Sequence, residues 1–393
     1  MLPKITNSFK AFTNSEKNAG LLLLFCTCLS LFLSNINIGE SYRHFWHQNI
    51  GFSIANFDLH YSIEHWINDG LMTIFFLMVG LEIERELYAG ELYPLKNALL
   101  PIFGAIGGML VPALIFIALN YNTNTLNGFG IPMGTDIAFA LAVLSLAGNR
   151  VPASIKILLT AIAIIDDLGS ILIIAIFYGS SINYLFLSIS IGIFLLLILL
   201  NKLNVSHLSI YLLLGIGMWF FMMQSGIHPT ISGVLLAFAI PFGKGQPNSI
   251  SIKLQHALHI PVAFIILPLF TLANTAIPVN QDYINSLISP HALGILLGLL
   301  LGKPVGIILT SFTVIKLNLL KLPQGVNWFE MIAMSCLAGI GFTMSIFITQ
   351  LAYTETSIIQ SSKLMILITS CLAGIIGYLL FAYSKSNNTD KTN

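Results

Sequence analysis

The sequence predicts an all-α polytopic membrane protein of twelve transmembrane helices with a small outer β-hairpin. Three observations predict it. Only 8% of the 393 residues are charged, where a soluble domain carries about a quarter. Hydrophobic residues make up 56%, with a mean hydropathy of +0.87. Apolar runs recur from end to end, most near the ~20 residues that cross a bilayer. A soluble globular enzyme cannot hide that much apolar surface, and disorder requires the opposite composition. A net charge of +1 gives no basic excess for a nucleic-acid partner. Cys26, Cys28, Cys336 and Cys371 all lie in apolar stretches without metal-ligand spacing and read as small apolar residues. No cofactor is called for.

The predicted spans are 13–34, 63–84, 97–119, 127–147, 154–178, 182–201, 207–222, 227–241, 257–277, 291–315, 329–350 and 361–383. The first follows Lys4, Lys10 and Lys17 but lacks a small-x-small cleavage site, so it reads as a retained helix rather than a signal peptide. With both termini cytoplasmic, inner loops and tails hold Lys4, Lys10, Lys17, Arg85, Lys96, Arg150, Lys156, Lys202, Lys244, Lys253, Lys316, Lys321, Lys385 and Lys391. Outer segments hold only Arg43 and Lys363, and Lys303 lies inside a span. Cytoplasmic loops are the basic ones, and one helix more or fewer midway would destroy this asymmetry. The only sizeable outer segment is 35–62; within it Gly51–His60 alternates apolar and polar residues around Asn56, which predicts a β-hairpin. Residues 1–393 therefore read as one transmembrane domain ending in a cytoplasmic tail, 384–393.

Spans three to five and ten to twelve run in opposite directions, as inverted-topology repeats do. The middle member of each triplet is interrupted. Span four contains Gly130, Pro132 and Gly134, and span eleven contains Gly339 and Gly341. Gly and Pro weaken helices, so both spans are expected to unwind near mid-membrane. Gly294, Gly298, Gly302 and Gly306 recur every four residues in span ten and predict close helix packing.

Four charged residues sit near the middle of spans: Asp136, Asp166, Asp167 and Lys303. A charge at bilayer centre costs at least about 2.5–3.5 kcal/mol, and buried pairs are weak stabilisers, so these residues read as functional. Asp166 and Asp167 point about 100° apart on a helix; one faces a cavity and the other a neighbouring helix, with Lys303 as a partner. Burial, the adjoining carboxylate and Lys303 together set how tightly protons are held, in a coupled set. The two carboxylates, the Thr135 hydroxyl and freed carbonyls also suit a small hard cation. Competition between protons and cation for the same oxygens is sufficient for exchange. Asp136 and Lys303 are further expected to neutralise the partial charges of broken-helix ends.

Gly134-Thr-Asp-Ile-Ala-Phe139, Ala161-Ile-Ala-Ile-Ile-Asp-Asp-Leu-Gly169, Gly302-Lys-Pro-Val-Gly306 and Gly339-Ile-Gly-Phe-Thr-Met-Ser345 resemble the NhaA-type sodium/proton antiporters of bacteria. So do Trp66–Met72 and Ser225–His228, and the resemblance covers nearly the whole chain. The family is itself an example of inverted repeats with broken helices. The resemblance implies an inner-membrane secondary transporter, not an enzyme. It would export Na+ or Li+ for H+, taking in more protons than it exports sodium ions, and serve pH and sodium homeostasis. Asp166 and Asp167 would bind the ions, with Asp136 and Thr135 as further ion-binding residues and Lys303 completing the core. It also implies a lipid-embedded homodimer joined through the outer hairpin, activation at alkaline pH, and a cytoplasmic pH-sensing cluster. Glu82, Arg85 and Glu86 match that cluster, and Lys253, His256 and His259 lie beside it at the start of span nine. Gln255 and Glu84 depart from the family pattern, where Glu and Lys are familiar.

The remaining polar residues carry less. His44, His47, His60 and His65 read as solvated outer residues, His228 as a helix-start residue, and Asp69 as structural or part of an outer vestibule. An intramembrane aspartyl protease would share one proton between facing carboxylates; a Gly-x-Gly-Asp sequence is absent and Lys303 opposes that arrangement. A sodium-coupled organic anion transporter would need a cationic centre, whereas this one is carboxylate-rich.

Overall fold

The computed structural model describes residues 2–384 except 52, 55–56, 91–92, 94, 149–150, 180–181, 244–245 and 247–248. Asn56, Arg150, Lys244, Lys385, Lys391 and the tail from 385 onward lie outside the described residues. The chain is mostly helical. Among the described residues eight helices are long and apolar enough to cross a membrane, or ten if each of two bent pairs counts as one span. The other two predicted segments fall on the shorter apolar helices Leu208–Gln224 and Thr230–Ala239.

Two compact units can be distinguished by their internal contacts. The first comprises residues 1–24, 96–170 and 279–393. It contains both bent pairs: Leu126–Met133 with Ile137–Leu146, bent by 41°, and Trp328–Ala338 with Phe342–Ala352, bent by 44°. The glycine stripe packs here as expected. A Cβ on Gly298 would lie 2.7 Å from Pro132 Cβ, and one on Gly302 3.0 Å from Pro112 Cα. A Cβ on Gly306 would strike the Gly107 carbonyl oxygen. Small residues thus bring the Pro290–Lys316 span against Leu95–Asn120, where van der Waals contact rather than the hydrophobic effect drives association.

The second unit comprises residues 25–95 and 171–278. Its core is Leu77, Leu81, Leu197, Tyr211, Met218 and Leu236 with their neighbours. Helices Met72–Ala89 and Thr230–Ala239 meet through Gly80, whose Cβ would lie 2.6 Å from Ala237 Cβ, and through Gly233, which abuts the Thr73 carbonyl.

The predicted hairpin is present as two short antiparallel pairs, Asn49–Ile50 with Tyr61–Ser62 and Ser53–Ile54 with Phe57–Asp58. A helix, Gly39–His47, precedes it and was not expected. Arg43 in that helix donates to the Ser34 carbonyl at 2.5 Å, capping the end of the Leu2–Ser34 helix. Lys363 departs from its expected place in an outer loop. The last helix starts at Thr356, earlier than its apolar pattern indicates, so Lys363 lies two turns inside it and is buried. Two of the histidines expected on the outer side are paired: His47 lies 3.3 Å from Glu64, and His65 lies 3.2 Å from Asp69. His228 precedes its helix, and its Nε2 is 2.7 Å from the Tyr178 carbonyl oxygen.

Candidate functional site

The breaks fall at Gly134 and at Gly339 and Gly341, whereas Gly130 and Pro132, also expected to interrupt span four, lie inside the 3₁₀ helix Leu126–Met133. Gly134–Asp136 is extended between the two halves of one pair, and Gly339–Gly341 separates the halves of the other. The breaks are laced together. Asp136 N donates to the Ile340 carbonyl (2.7 Å), Ser345 Oγ to the Ile131 carbonyl (2.7 Å), and Thr135 Oγ1 approaches the Ala338 carbonyl (3.0 Å). Backbone groups released by unwinding must find partners inside a membrane, and here each broken helix supplies some of the other's. Gly134 allows the approach, since a Cβ there would sit 2.8 Å from Met344 Cβ.

Four half-helix ends meet at this crossing, and each carries a matching side chain. Asp136 caps two N-termini at once. Its Oδ1 accepts from Phe139 N (3.0 Å); its Oδ2 accepts from Thr343 N (3.1 Å) and Thr343 Oγ1 (2.6 Å). A carboxylate is the favoured partner for the positive end of a helix. The Lys303 ammonium donates to the Met133 carbonyl, the negative end of Leu126–Met133. Thr135 serves the C-terminal end of Trp328–Ala338. A π-turn, Gly298–Gly302, immediately precedes Lys303; the extra residue in such a turn re-aims the side chains after it.

Asp166 stands between the cationic and hydroxyl groups. Its Oδ2 lies 3.0 Å from Lys303 Nζ and 2.8 Å from Thr135 Oγ1. Asp166 and Lys303 have no exposed surface, and Asp136, Asp167 and Thr135 are all buried. Asp167, one residue on, interacts electrostatically with Lys303. Thr135 has a single hydroxyl hydrogen but faces both a carboxylate and a carbonyl oxygen. The Thr135 hydroxyl thus ties the Asp166 carboxylate to the end of the Trp328–Ala338 helix.

A model of the Na+/H+ antiporter 1 family matches residues 10–381. The chain is 55% identical to the Na(+)/H(+) antiporter NhaA of Flavobacterium psychrophilum, over 98% of each chain. It is 52% identical to the Na(+)/H(+) antiporter NhaA 1 of Flavobacterium johnsoniae, over 98% of this chain and 99% of that one. It is 50% identical to the Na(+)/H(+) antiporter NhaA of Dechloromonas aromatica, over 98% of each. The chain belongs to the Na+/H+ antiporter 1 family. Members of this antiporter family are transporters rather than enzymes, in agreement with the sequence reading.

The structure thus joins Thr135, Asp166 and Lys303 by hydrogen bonds and ion pairing, and sets Asp136 beside Thr135 at the same breaks with partners of its own. It also adds residues that sequence reasoning left out: Thr343, which binds Asp136, Ser345, and Ser370, whose Oγ accepts from Phe342 N at 3.2 Å. Thr343 was the findable one, because a Thr just after a Gly-x-Gly break is a helix-start signal.

The second unit holds the residues expected to sense pH. Arg85 lies 2.7 Å from Glu86 and 3.6 Å from Glu82. His259 interacts electrostatically with His256 and Arg85. Among the described residues Lys253 shows no side-chain partner in this cluster. Glu84 is buried and accepts from Ser251 Oγ at 3.2 Å, and Gln255 is buried as well.

Proposed function

We propose that the chain exports Na+ in exchange for H+ by alternating access, with Asp166 and Asp167 holding either protons or the cation. The observation that carries this reading is the fully buried Asp166, poised between Lys303 and Thr135 where the two helix breaks meet. A cation bound by these carboxylates displaces protons and weakens the pull of Asp166 on Lys303. Either load offsets the ionised carboxylates, the two protons carrying one charge more than Na+, whereas the empty, fully ionised centre is the costly one to turn across the membrane. Asp136 acts in charge compensation and not as an open ligand, because helix N-termini and Thr343 already occupy its oxygens.

The finer reading has twelve spans over one antiporter domain, 1–393, with spans 3–5 and 10–12 as inverted repeats. It has both termini cytoplasmic in a bacterial inner membrane. Li+ is a second substrate, and two copies pair through the outer hairpin within the lipid. Glu82, Arg85, Glu86, Lys253, His256 and His259 set the pH range, with Gln255 and Glu84 shifting it. The exchange is electrogenic, two H+ per Na+, and maintains cytoplasmic pH and sodium. One net charge moving through 100 mV supplies about 2.3 kcal/mol, which sustains a roughly 50-fold sodium gradient at about 1.4 kcal/mol per decade without any pH gradient. A one-for-one exchanger gains nothing from the potential.

The test is reconstitution into vesicles containing a pH dye. Na+ or Li+ should collapse an imposed pH gradient, and Asp167→Asn should abolish the response. A response to K+ alone would overturn the reading.

A further inference from the structure

Ser170 follows Asp166 by four residues and Asp167 by three on the Ala153–Phe177 helix. Residues at these spacings share a helix face, with Cβ atoms about 5–6 Å apart. Ser170 is 1% exposed, and its Oγ has no hydrogen-bond partner among the described residues. The same is true of Asp166 Oδ1. A Ser or Thr inside a helix ordinarily donates to the carbonyl four residues back. Ser145, Thr310, Thr349 and Thr369 all do so in this chain, and Ser170 does not.

The hydroxyl instead faces the unwound segment. Ser170 Oγ lies 3.8 Å from the point where a Cβ on Gly134 would sit, and the next residue, Thr135, binds Asp166 Oδ2. Two buried oxygens with open coordination thus lie on one helix face, beside the break and one turn apart. Hard cations take oxygen ligands, and the larger ones take more of them. A hydroxyl adds a ligand without adding charge, so cation binding would still neutralise the carboxylates.

From this geometry we infer that Ser170 is a ligand of the transported cation, its Oγ and Asp166 Oδ1 forming one side of the site, and that it favours Na+ over the smaller Li+. The inference rests on the exchange function proposed above. Ser170→Ala deletes the oxygen, Ser170→Cys replaces it with a soft sulfur of similar size, and Ser170→Thr keeps it. Each is reconstituted, and KM for Na+ and Li+ is measured at fixed pH; Na+ affinity of the purified variants is measured in parallel by calorimetry. The Ala and Cys variants should raise KM and Kd for Na+ at least fivefold and those for Li+ less, and Thr should stay within twofold of wild type. Wild-type Na+ affinity in the Ala variant would overturn the assignment, leaving a bridging water between the two oxygens. Recovery by Cys of what Ala loses would also overturn it, because packing or weak hydrogen bonding would then suffice. A wild-type protein without Na+-driven proton movement would instead refute the exchange reading, a separately visible outcome.

Discussion

Replacing Asp136 with Asn tests how the crossing is held together. The carboxylate accepts three hydrogen bonds and faces the N-termini of Ile137–Leu146 and Phe342–Ala352. Asn keeps the shape but removes the charge and turns one acceptor into a donor. Loss of charge at each helix end costs about 0.3–1 kcal/mol, and up to ~2 when partly buried. The donor that then faces a donor costs about 1–3 kcal/mol. The sum is roughly 2–5 kcal/mol of stability. Equilibrium unfolding in bicelles of the wild type, Asp136→Asn, Thr343→Ala and the double variant forms a double-mutant cycle. The 2.6 Å contact between Thr343 Oγ1 and Asp136 Oδ2 predicts a coupling of at least about 1 kcal/mol. Additivity within about 0.5 kcal/mol would refute the Thr343 hydroxyl contact, and full wild-type stability in Asp136→Asn would refute the capping of both helices by one carboxylate.

The same geometry predicts further outcomes. Gly306→Ala places a methyl against the Gly107 carbonyl and 3.1 Å from Val111 Cβ, and should cost about 1–3 kcal/mol, read as a lowered unfolding midpoint. Lys303→Met leaves Asp166 and the Met133 carbonyl without their cation. Loss of the ammonium should displace the pH profile of vesicle exchange, and an unchanged profile would show that Lys303 does not act on the ion site. Competition also fixes the pH slope of Na+ affinity. While the carboxylates are protonated, each proton displaced per Na+ raises KM tenfold for every unit the pH falls, so two protons give a hundredfold; a pH-independent KM would rule out shared oxygens. Trp219→Phe removes an indole that donates to the Asp69 carbonyl at 2.9 Å and should cost about 0.5–1.5 kcal/mol by the same unfolding measurement.

The core of this site was legible because charge inside a membrane is expensive. Asp136, Asp166, Asp167 and Lys303 stand out in apolar runs without any knowledge of the fold. The breaks were legible because Gly130, Pro132, Gly134, Gly339 and Gly341 interrupt two such runs. What sequence withheld depends on geometry. Nothing local reveals that Asp136 would cap a helix more than two hundred residues later in the chain, through a hydrogen bond to Thr343. The π-turns at Trp66–Leu71 and Gly298–Gly302 leave no mark on hydropathy. The Gly39–His47 helix was missed because it is short and polar, and its anchor is the single long-reaching Arg43. Lys363 was placed at the outer end because the apolar pattern starts the predicted span at 361, whereas the helix starts at Thr356 and sets Lys363 two turns inside it. The pairing of His47 with Glu64 was likewise invisible, since the hairpin between them brings the two together. His65 and Asp69 are four residues apart, a helical spacing that could have revealed their contact.

The most direct test is calorimetric titration of the detergent-purified protein with NaCl at one pH in buffers of different ionisation enthalpy. Proton release on Na+ binding, between one and two per ion and abolished in Asp167→Asn, is the predicted result. Na+ uptake that liberates no protons would contradict the account, whatever its affinity.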